Sequence, residues 1–390
     1  MTPEQARLLL GAGGRAAVAA ASALDLSPAG RIAAAEAVRR AHGPVLGPLA
    51  LEQALLRRRA LAKHPKGNRL WWTGPALEQA SSAAVAAWRA RRLPGPVLDL
   101  CCSVGSDLLA FAGDSCGVDL DEARLLLAQA NARELARPVS LLRADVTLLP
   151  LSMSADVFVD PARRAGGRRV FDPRSYRPSL EVVLDWRRVV RSLTVKVAPG
   201  IDHAALPADV EVEIVSLGGE VKEAVLRSGA ARCGTARSAS LLPAGTALAA
   251  DAVVPVLTGE SVAVPNVRPP GPWLLDLDGA VVRAGLVAQA AAPVDGFLLD
   301  PTIAYVCAPQ PVPTSFGRWY EVLEVLPFGL KRLREVLRAY DAGPLVVKKR
   351  GTAVEPDELR RRLKLSGTRE VTVVLTRSAG RQIAMVVRPA

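Results

Sequence analysis

Val97-Leu98-Asp99-Leu100-Cys101-Cys102-Ser103-Val104-Gly105-Ser106-Asp107 decides the fold. An apolar run leads into an acid, then a run of small residues, then a helical pattern from Leu108. The expected structure is a strand, a tight turn and a helix. The strand-to-acid pattern recurs in Cys116-Gly117-Val118-Asp119-Leu120-Asp121. An acid at the end of the second strand of a βαβ unit is placed to accept the two ribose hydroxyls of an adenosine cofactor. Arg143-Ala144-Asp145 and Val157-Phe158-Val159-Asp160-Pro161-Ala162-Arg163 end two further apolar runs with Asp. Four acids at successive strand ends imply an open, mostly parallel sheet that binds S-adenosylmethionine (SAM).

Roles follow from position. Asp99 is expected near the amino acid end of the cofactor, Asp119 at the ribose and Asp145 at the adenine amino group. Asp121 is better placed to cap the following helix. In a D-x-G-x-G-x-G frame Cys101 and Ser103 replace the first two glycines, and Gly105 remains. Both are small, but neither enters the positive-φ region as cheaply as glycine. A dinucleotide site is disfavoured, because no G-x-G-x-x-G is present to let backbone approach a pyrophosphate. SAM has no phosphate and tolerates this turn.

The fourth strand end is where a methyl acceptor would sit. Methyl transfer needs in-line alignment of an electron-rich atom and a destination for any proton released. Asp160 can orient an acceptor and relay its proton, while Pro161 fixes the loop. Exocyclic-amine methyltransferases usually carry an aromatic residue at the position of Arg163, which puts amine methylation in doubt. Arg163 and Arg164 instead open a basic run suited to phosphates. At the end of the fifth strand, either Lys196 or the Pro199-Gly200 turn is placed to line the same cleft. Cys233 and Cys307 lie in no nucleophile context, so attack on a base carbon is not assigned to either. Trp71-Trp72 beside Arg57-Arg58-Arg59 either stacks a base or anchors helices.

Working outward, residues 1–74 are expected to form a helical cap, with helices at 6–10, 31–41 and 49–63. Residues 75–228 form the SAM domain: helix 76–92, strand 97–101, helix 104–112, strand 115–119, helix 121–135, strands 139–143 and 155–160, helix 179–191 and strand 193–198. Val210–Leu217 and Val221–Leu226 close it as an antiparallel hairpin around Gly218-Gly219. Residues 229–272, rich in proline, read as a linker or irregular strands. Residues 273–390 form a second α/β unit, with helices at 279–291, 329–340 and 355–364 and strands at 297–306, 319–326, 344–349, 370–376 and 382–388.

The chain has 390 residues and a formal net charge of +12. Residues 331–390 hold 15 Lys/Arg against 6 Asp/Glu, a surplus of nine positive charges. Such a surplus favours polyanions. Lys348, Lys349 and Arg350 cluster at a strand end and are candidate contacts for a nucleic-acid backbone. No apolar run is long enough to span a membrane. The five cysteines show no metal-ligand spacing and no disulfide pattern, so no metal site is expected and a reducing cytoplasm fits.

The chain resembles bacterial class I SAM-dependent methyltransferases with a C-terminal THUMP-like domain. The matching segments include Leu77-Glu78-Gln79-Ala80, Val97–Asp107, Val159-Asp160-Pro161-Ala162-Arg163-Arg164, Lys196-Val197-Ala198-Pro199-Gly200, Gly219-Glu220-Val221-Lys222-Glu223, Ile303-Ala304-Tyr305 and Lys348-Lys349-Arg350-Gly351. The resemblance implies a Rossmann-like α/β fold and, by analogy with true THUMP domains, an RNA substrate, either rRNA or tRNA. Two other readings stay open: a methyltransferase acting on a protein or small molecule, and a non-catalytic RNA-binding protein with a degenerate SAM pocket.

Overall fold

The computed structural model describes residues 1–111, 113–163, 176–260 and 266–390. It divides into two compact units. The first comprises Met1–Val212, Glu223–Gly234 and Leu242–Val253, and the second Glu213–Lys222, Thr235–Leu241 and Val254–Ala390.

The first unit opens with α1 (Pro3–Leu10), α2 (Ala12–Ser22) and α3 (Arg31–Ala60). Thr2 begins α1 with a reciprocal capping box to Gln5. The separate helices expected at 31–41 and 49–63 are both present within this span, divided at Gly43, whose backbone is non-helical at φ 80° ahead of Pro44. Their buried face packs Leu9, Val18, Val38 and Leu56 around Trp71 and Trp72. The expected helix 76–92 is two, α4 (Gly74–Gln79) and α5 (Ala83–Arg91). The break falls where the Ser82 hydroxyl accepts from the Val85 amide and starts a new helix.

The sheet follows as β1 (Val97–Leu100), β2 (Cys116–Asp119), α6 (Glu122–Glu134), β3 (Ser140–Arg143), β4 (Asp156–Val159), α7 (Leu180–Asp185) and β5 (Ser192–Val197). These five strands are parallel in the order β3-β2-β1-β4-β5. All four residues of β4 are buried, as a strand covered on both faces requires. β6 (Glu211–Leu217) and β7 (Glu220–Gly229) form the hairpin, with Gly218 and Gly219 at φ 61° and 85°. Two consecutive positive φ values suit a type I′ turn. Ala224–Gly229 pairs antiparallel with β5.

The helix expected over 104–112 is a single 3-10 turn, Leu108–Ala110. The reason lies one residue earlier. Asp107, the natural cap, accepts no cap bond from the turn because Arg89 and Ser81 take its carboxylate. The helix expected over 179–191 likewise shrinks to α7 followed by a 3-10 turn.

In the second unit β8 (Arg237–Leu242) pairs antiparallel with β9 (Val256–Gly259). The main sheet is built from β10 (Trp273–Leu277), β11 (Phe297–Asp300), β12 (Ile303–Ala308), β13 (Gly317–Pro327), β14 (Ala342–Lys349), β15 (Arg369–Ser378) and β16 (Arg381–Pro389). Its order is β11-β12-β10-β13-β16-β15-β14. The expected strand 297–306 is a hairpin, because the Asp300 carboxylate accepts from the Thr302 amide and hydroxyl and turns the chain. The expected helix 279–291 is split into α8 (Gly279–Arg283) and α9 (Val287–Ala291) by Gly285 at φ 73°. α10 (Leu330–Ala339) and α11 (Pro356–Leu363) pack Leu333, Leu337, Leu359 and Leu363 onto the sheet.

Candidate cofactor and active site

The carboxyl ends of β1, β2 and β4 surround a cavity of about 580 Å³. That is the place where open α/β sheets bind ligands, and the volume lies within the usual small-ligand range. Asp99, Cys101, Ser103, Asp119, Asp145 and Asp160 all line it. Ala76, Gln79 and Ala80 add a wall from α4 and the residue after it.

The turn after β1 takes the glycine-like path without the glycines. Cys101 sits at φ 69°, Ser103 at 53° and Gly105 at 84°. Three alternate residues therefore lie in the left-handed region. The Cys101 and Cys102 amides both donate to the Val118 carbonyl, at 2.8 and 3.0 Å. The Ser103 amide donates to Asp119 Oδ2 at 2.9 Å, and the Asp121 amide to Asp119 Oδ1 at 2.9 Å. Asp119 is therefore a splint that holds the strained turn. A carboxylate has about four acceptor sites, so both oxygens keep capacity for ribose hydroxyls. Asp121 caps α6 by accepting from the Arg124 amide.

Asp145 accepts through Oδ1 from the Thr147 amide at 2.9 Å and the Thr147 hydroxyl at 2.7 Å. These bonds hold its carboxyl below the ordinary carboxylate range. Gly105 closes the turn, its amide bonded to the Cys102 carbonyl, and is not among the residues lining the cavity.

Asp99 differs from the other acids. It is 1% exposed, and neither of its oxygens has a hydrogen-bond partner among the described residues. Burial, reinforced by Asp107 and Asp160, pushes its carboxyl well above the usual range. An orphaned buried acid facing a cavity of this size fits a ligand carrying a cationic head, which SAM supplies.

At the end of β4, Asp160 Oδ2 accepts from Lys196 Nζ at 2.8 Å, and the same ammonium reaches the Gln79 carbonyl at 3.1 Å. Lys196 is thus joined to Asp160 and not free in the cleft. Burial works against its charge, but Asp160, Asp107 and Glu223 outweigh that and raise its affinity for the proton. Pro161 is buried behind Asp160. Ala162–Arg163 forms a two-residue bridge with Tyr176–Arg177. The Arg163 side chain and all of Arg164 lie outside the described residues.

Sequence reasoning passed over the buried cation of this region. Arg89 is 1% exposed and bridges Asp107 and Glu223 while its guanidinium lies 4.7 Å from the Phe158 ring centroid. The signal was its helical register: Arg89 follows Val85 by four residues and Ala86 by three, on the buried face of α5. Glu223 is 134 residues away, and nothing local marks it.

Trp71 and Trp72 are 1% and 2% exposed, so they anchor helices and offer no face to a base. Asn131 of α6 accepts from the Trp71 amide and donates to the Trp71 and Val104 carbonyls, which ties the cap to the cofactor turn. Arg57 lies 4.2 Å over the Trp71 ring. Cys307 is buried, and burial pushes its thiol up to about 11, which is unsuited to a nucleophile.

In the second unit Lys348 Nζ and Arg350 Nη2 both reach Asp276, at 2.8 and 3.1 Å. Lys348 lies 5.2 Å from the Tyr320 ring and Arg350 5.1 Å from that of Tyr305. Lys349 pairs with Glu355 at 2.7 Å. Two cations share the single Asp276 carboxylate, so this cluster keeps one positive charge in excess.

A parallel sheet with a closing antiparallel hairpin, and acids gathered at its carboxyl edge, define a Rossmann-like methyltransferase. Over residues 317–389 the chain matches the family described as THUMP domain-like, and over residues 2–60 a domain of unknown function. SAM-dependent methyltransferases of Mycobacterium tuberculosis, strains CDC 1551 / Oshkosh and ATCC 25618 / H37Rv and both not yet characterised, are 43% identical over 360 residues. The match covers 88% of this chain and 97% of each relative. The crystal structure of a Porphyromonas gingivalis W83 protein assigned to the methyltransferases superposes with a TM-score of 0.70 at 21% identity. It covers 100% of this chain and 95% of that one, and shows the shared fold. The chain belongs to the S-adenosylmethionine-dependent methyltransferases, and its C-terminal part is THUMP-like.

Proposed function

We propose that this methyltransferase modifies a base in RNA. The observation that carries the reading is the charge of the THUMP-like part. The nine surplus positive charges of residues 331–390 lie in the segment that matches the THUMP domain-like family, apart from residue 390. Exposed cations that track a phosphate backbone supply the sequence-independent part of nucleic-acid affinity. Lys348, Lys349 and Arg350 contribute the partly compensated end of this surface. Arg163 and Arg164 of the methyltransferase part are further phosphate contacts in this reading.

SAM supplies an electrophilic methyl group on a sulfonium. Asp99, Cys101, Ser103, Gly105, Asp119 and Asp145 hold it, with the Asp119 splint fixing the turn. Asp160 orients the acceptor and takes or relays its proton, and the Lys196 ammonium holds that carboxylate in place. Pro161 limits the freedom of the strand end. No helix among the described residues is long and apolar enough to cross a membrane. The five cysteines are free, and a reducing cytoplasm belongs to the same reading.

The test is methyl transfer from labelled SAM to total RNA from cells lacking the gene, with DNA and protein fractions alongside. The expected label is sensitive to ribonuclease and absent when the RNA comes from wild-type cells. Label in protein or in a small-molecule fraction would replace RNA as the substrate. Failure of SAM to bind in calorimetry would leave only an RNA-binding protein.

A further inference from the structure

The buried groups at the carboxyl edge of the sheet do not balance in charge. Four acids meet there: Asp99 from β1, Asp107 from the turn after it, Asp160 from β4 and Glu223 from β7. Two bases face them. Arg89 of α5 is held by Asp107 and Glu223, and Lys196 of β5 by Asp160. Each cation is already spent on an acid other than Asp99. Asp119 of β2 adds a further negative charge on the cavity wall, and the Cys101 thiol adds none, since burial keeps it protonated. Asp99 is left with two oxygens unpartnered among the described residues, 1% exposure and no unspent buried cation beside it; the other cations of the cavity wall are Arg124, paired with Asp121, and the exposed Arg177. A buried carboxylate in that setting takes a proton rather than stand uncompensated.

We propose that Asp99 is a charge-sensing residue of the cofactor cavity: it carries a proton while the cavity is empty and releases it to solvent when SAM enters. The proposal rests on the reading of this cavity as the SAM site. SAM carries an ammonium, a sulfonium and a carboxylate, a net charge of plus one. Its entry supplies the missing counter-charge, and the Asp99 O–H bond breaks with the proton passing to buffer. Methyl transfer then breaks the sulfonium S–CH3 bond, its electron pair staying on sulfur, and the positive charge leaves with the methyl group. The thioether product keeps the ammonium but has lost the sulfonium charge, so it holds Asp99 ionised less strongly and Asp99 regains part of its proton. The cavity therefore prefers cofactor over product by charge, and the preference widens as pH rises.

Calorimetric titration of the full-length protein with SAM, in phosphate and in Tris, measures the protons released. The expected result is a buffer-dependent heat equal to up to about one proton per SAM, with affinity rising by up to about tenfold per pH unit over that range. S-adenosylhomocysteine should release fewer. SAM binding with buffer-independent heat throughout about pH 5 to 8 would overturn the proposal and leave the cavity standing as the cofactor site. Asp99→Asn should bind SAM with no proton release, and release equal to that of the native protein would assign the proton elsewhere. Where that variant does not fold or bind, infrared difference spectra of the native protein decide. Loss of a protonated-carboxyl C=O band on adding SAM supports the proposal, and an unchanged band refutes it.

Discussion

Ser103→Gly should stabilise the empty enzyme, and Gly105→Ala should destabilise it by a similar amount. Ser103 sits at φ 53°, where a residue with a Cβ costs about 1–2 kcal/mol. Glycine removes that cost but adds about 0.4–1 kcal/mol of unfolded-chain entropy. The net gain is about 0.5–1 kcal/mol. The only bond of Ser103 that reaches Asp119 comes from its amide, which glycine keeps. At Gly105, φ is 84°, and a Cβ would meet Leu109 at 3.4 Å and Ala128 at 3.6 Å, which is ordinary contact. The cost there is backbone alone, so the same terms apply with the sign reversed. The two variants should thus stand about 1–2 kcal/mol apart. Urea unfolding followed by tryptophan emission measures this, since Trp71, Trp72 and Trp88 are buried in the same unit. Ser103→Ala, which keeps the strain, is the control and should lie within about 0.5 kcal/mol of native. A Ser103→Gly midpoint at or below the native one would refute the strain argument.

Asp160→Ala should abolish methyl transfer while SAM affinity stays within a few-fold; equal loss of both, read by calorimetry beside the transfer assay, would place Asp160 at the cofactor instead. Arg89→Met should destabilise by about 3–5 kcal/mol, because Asp107 and Glu223 remain buried without their cation; a shift below about 1 kcal/mol in urea unfolding would show the bridge to be dispensable. The stability of the empty enzyme should fall as pH rises from about 4. Asp99 stays protonated in the folded state after it has ionised in the unfolded one, so its stabilisation is complete below the unfolded value and lost on approach to the raised folded one. Asp99→Asn should flatten that slope, as midpoints across pH will show. Arg361→Glu with Lys364→Glu should weaken RNA binding and lower its salt dependence, whereas SAM binding should not change; unaltered filter-binding affinity would remove α11 from the RNA surface.

What was legible in the chain and what was not divide along one physical line. Strand ends are local. The period of Val97–Leu100 and Cys116–Asp119 places Asp99 and Asp119 where each strand stops, and parallel pairing of neighbouring strands brings those ends to one edge. Six acids and turn residues read that way do line a single cavity. Counter-ions are not local. Lys348, Lys349 and Arg350 read as free cations, yet two of them are taken by Asp276, 72 and 74 residues earlier. The helix expected over 104–112 is only the turn Leu108–Ala110, and the Asp107 carboxylate that precedes this turn is held by Arg89: a buried guanidinium without a carboxylate costs several kcal/mol and a missing cap only about 1. The positive φ of Cys101 and Ser103 belongs to this class as well. The sequence argues against it, and in that conformation the Ser103 amide bonds Asp119, a partner 16 residues away. Cofactor geometry in this enzyme therefore depends on pairs made across the fold, and a substitution at Glu223 or Arg89 should disturb the cavity as much as one in its wall.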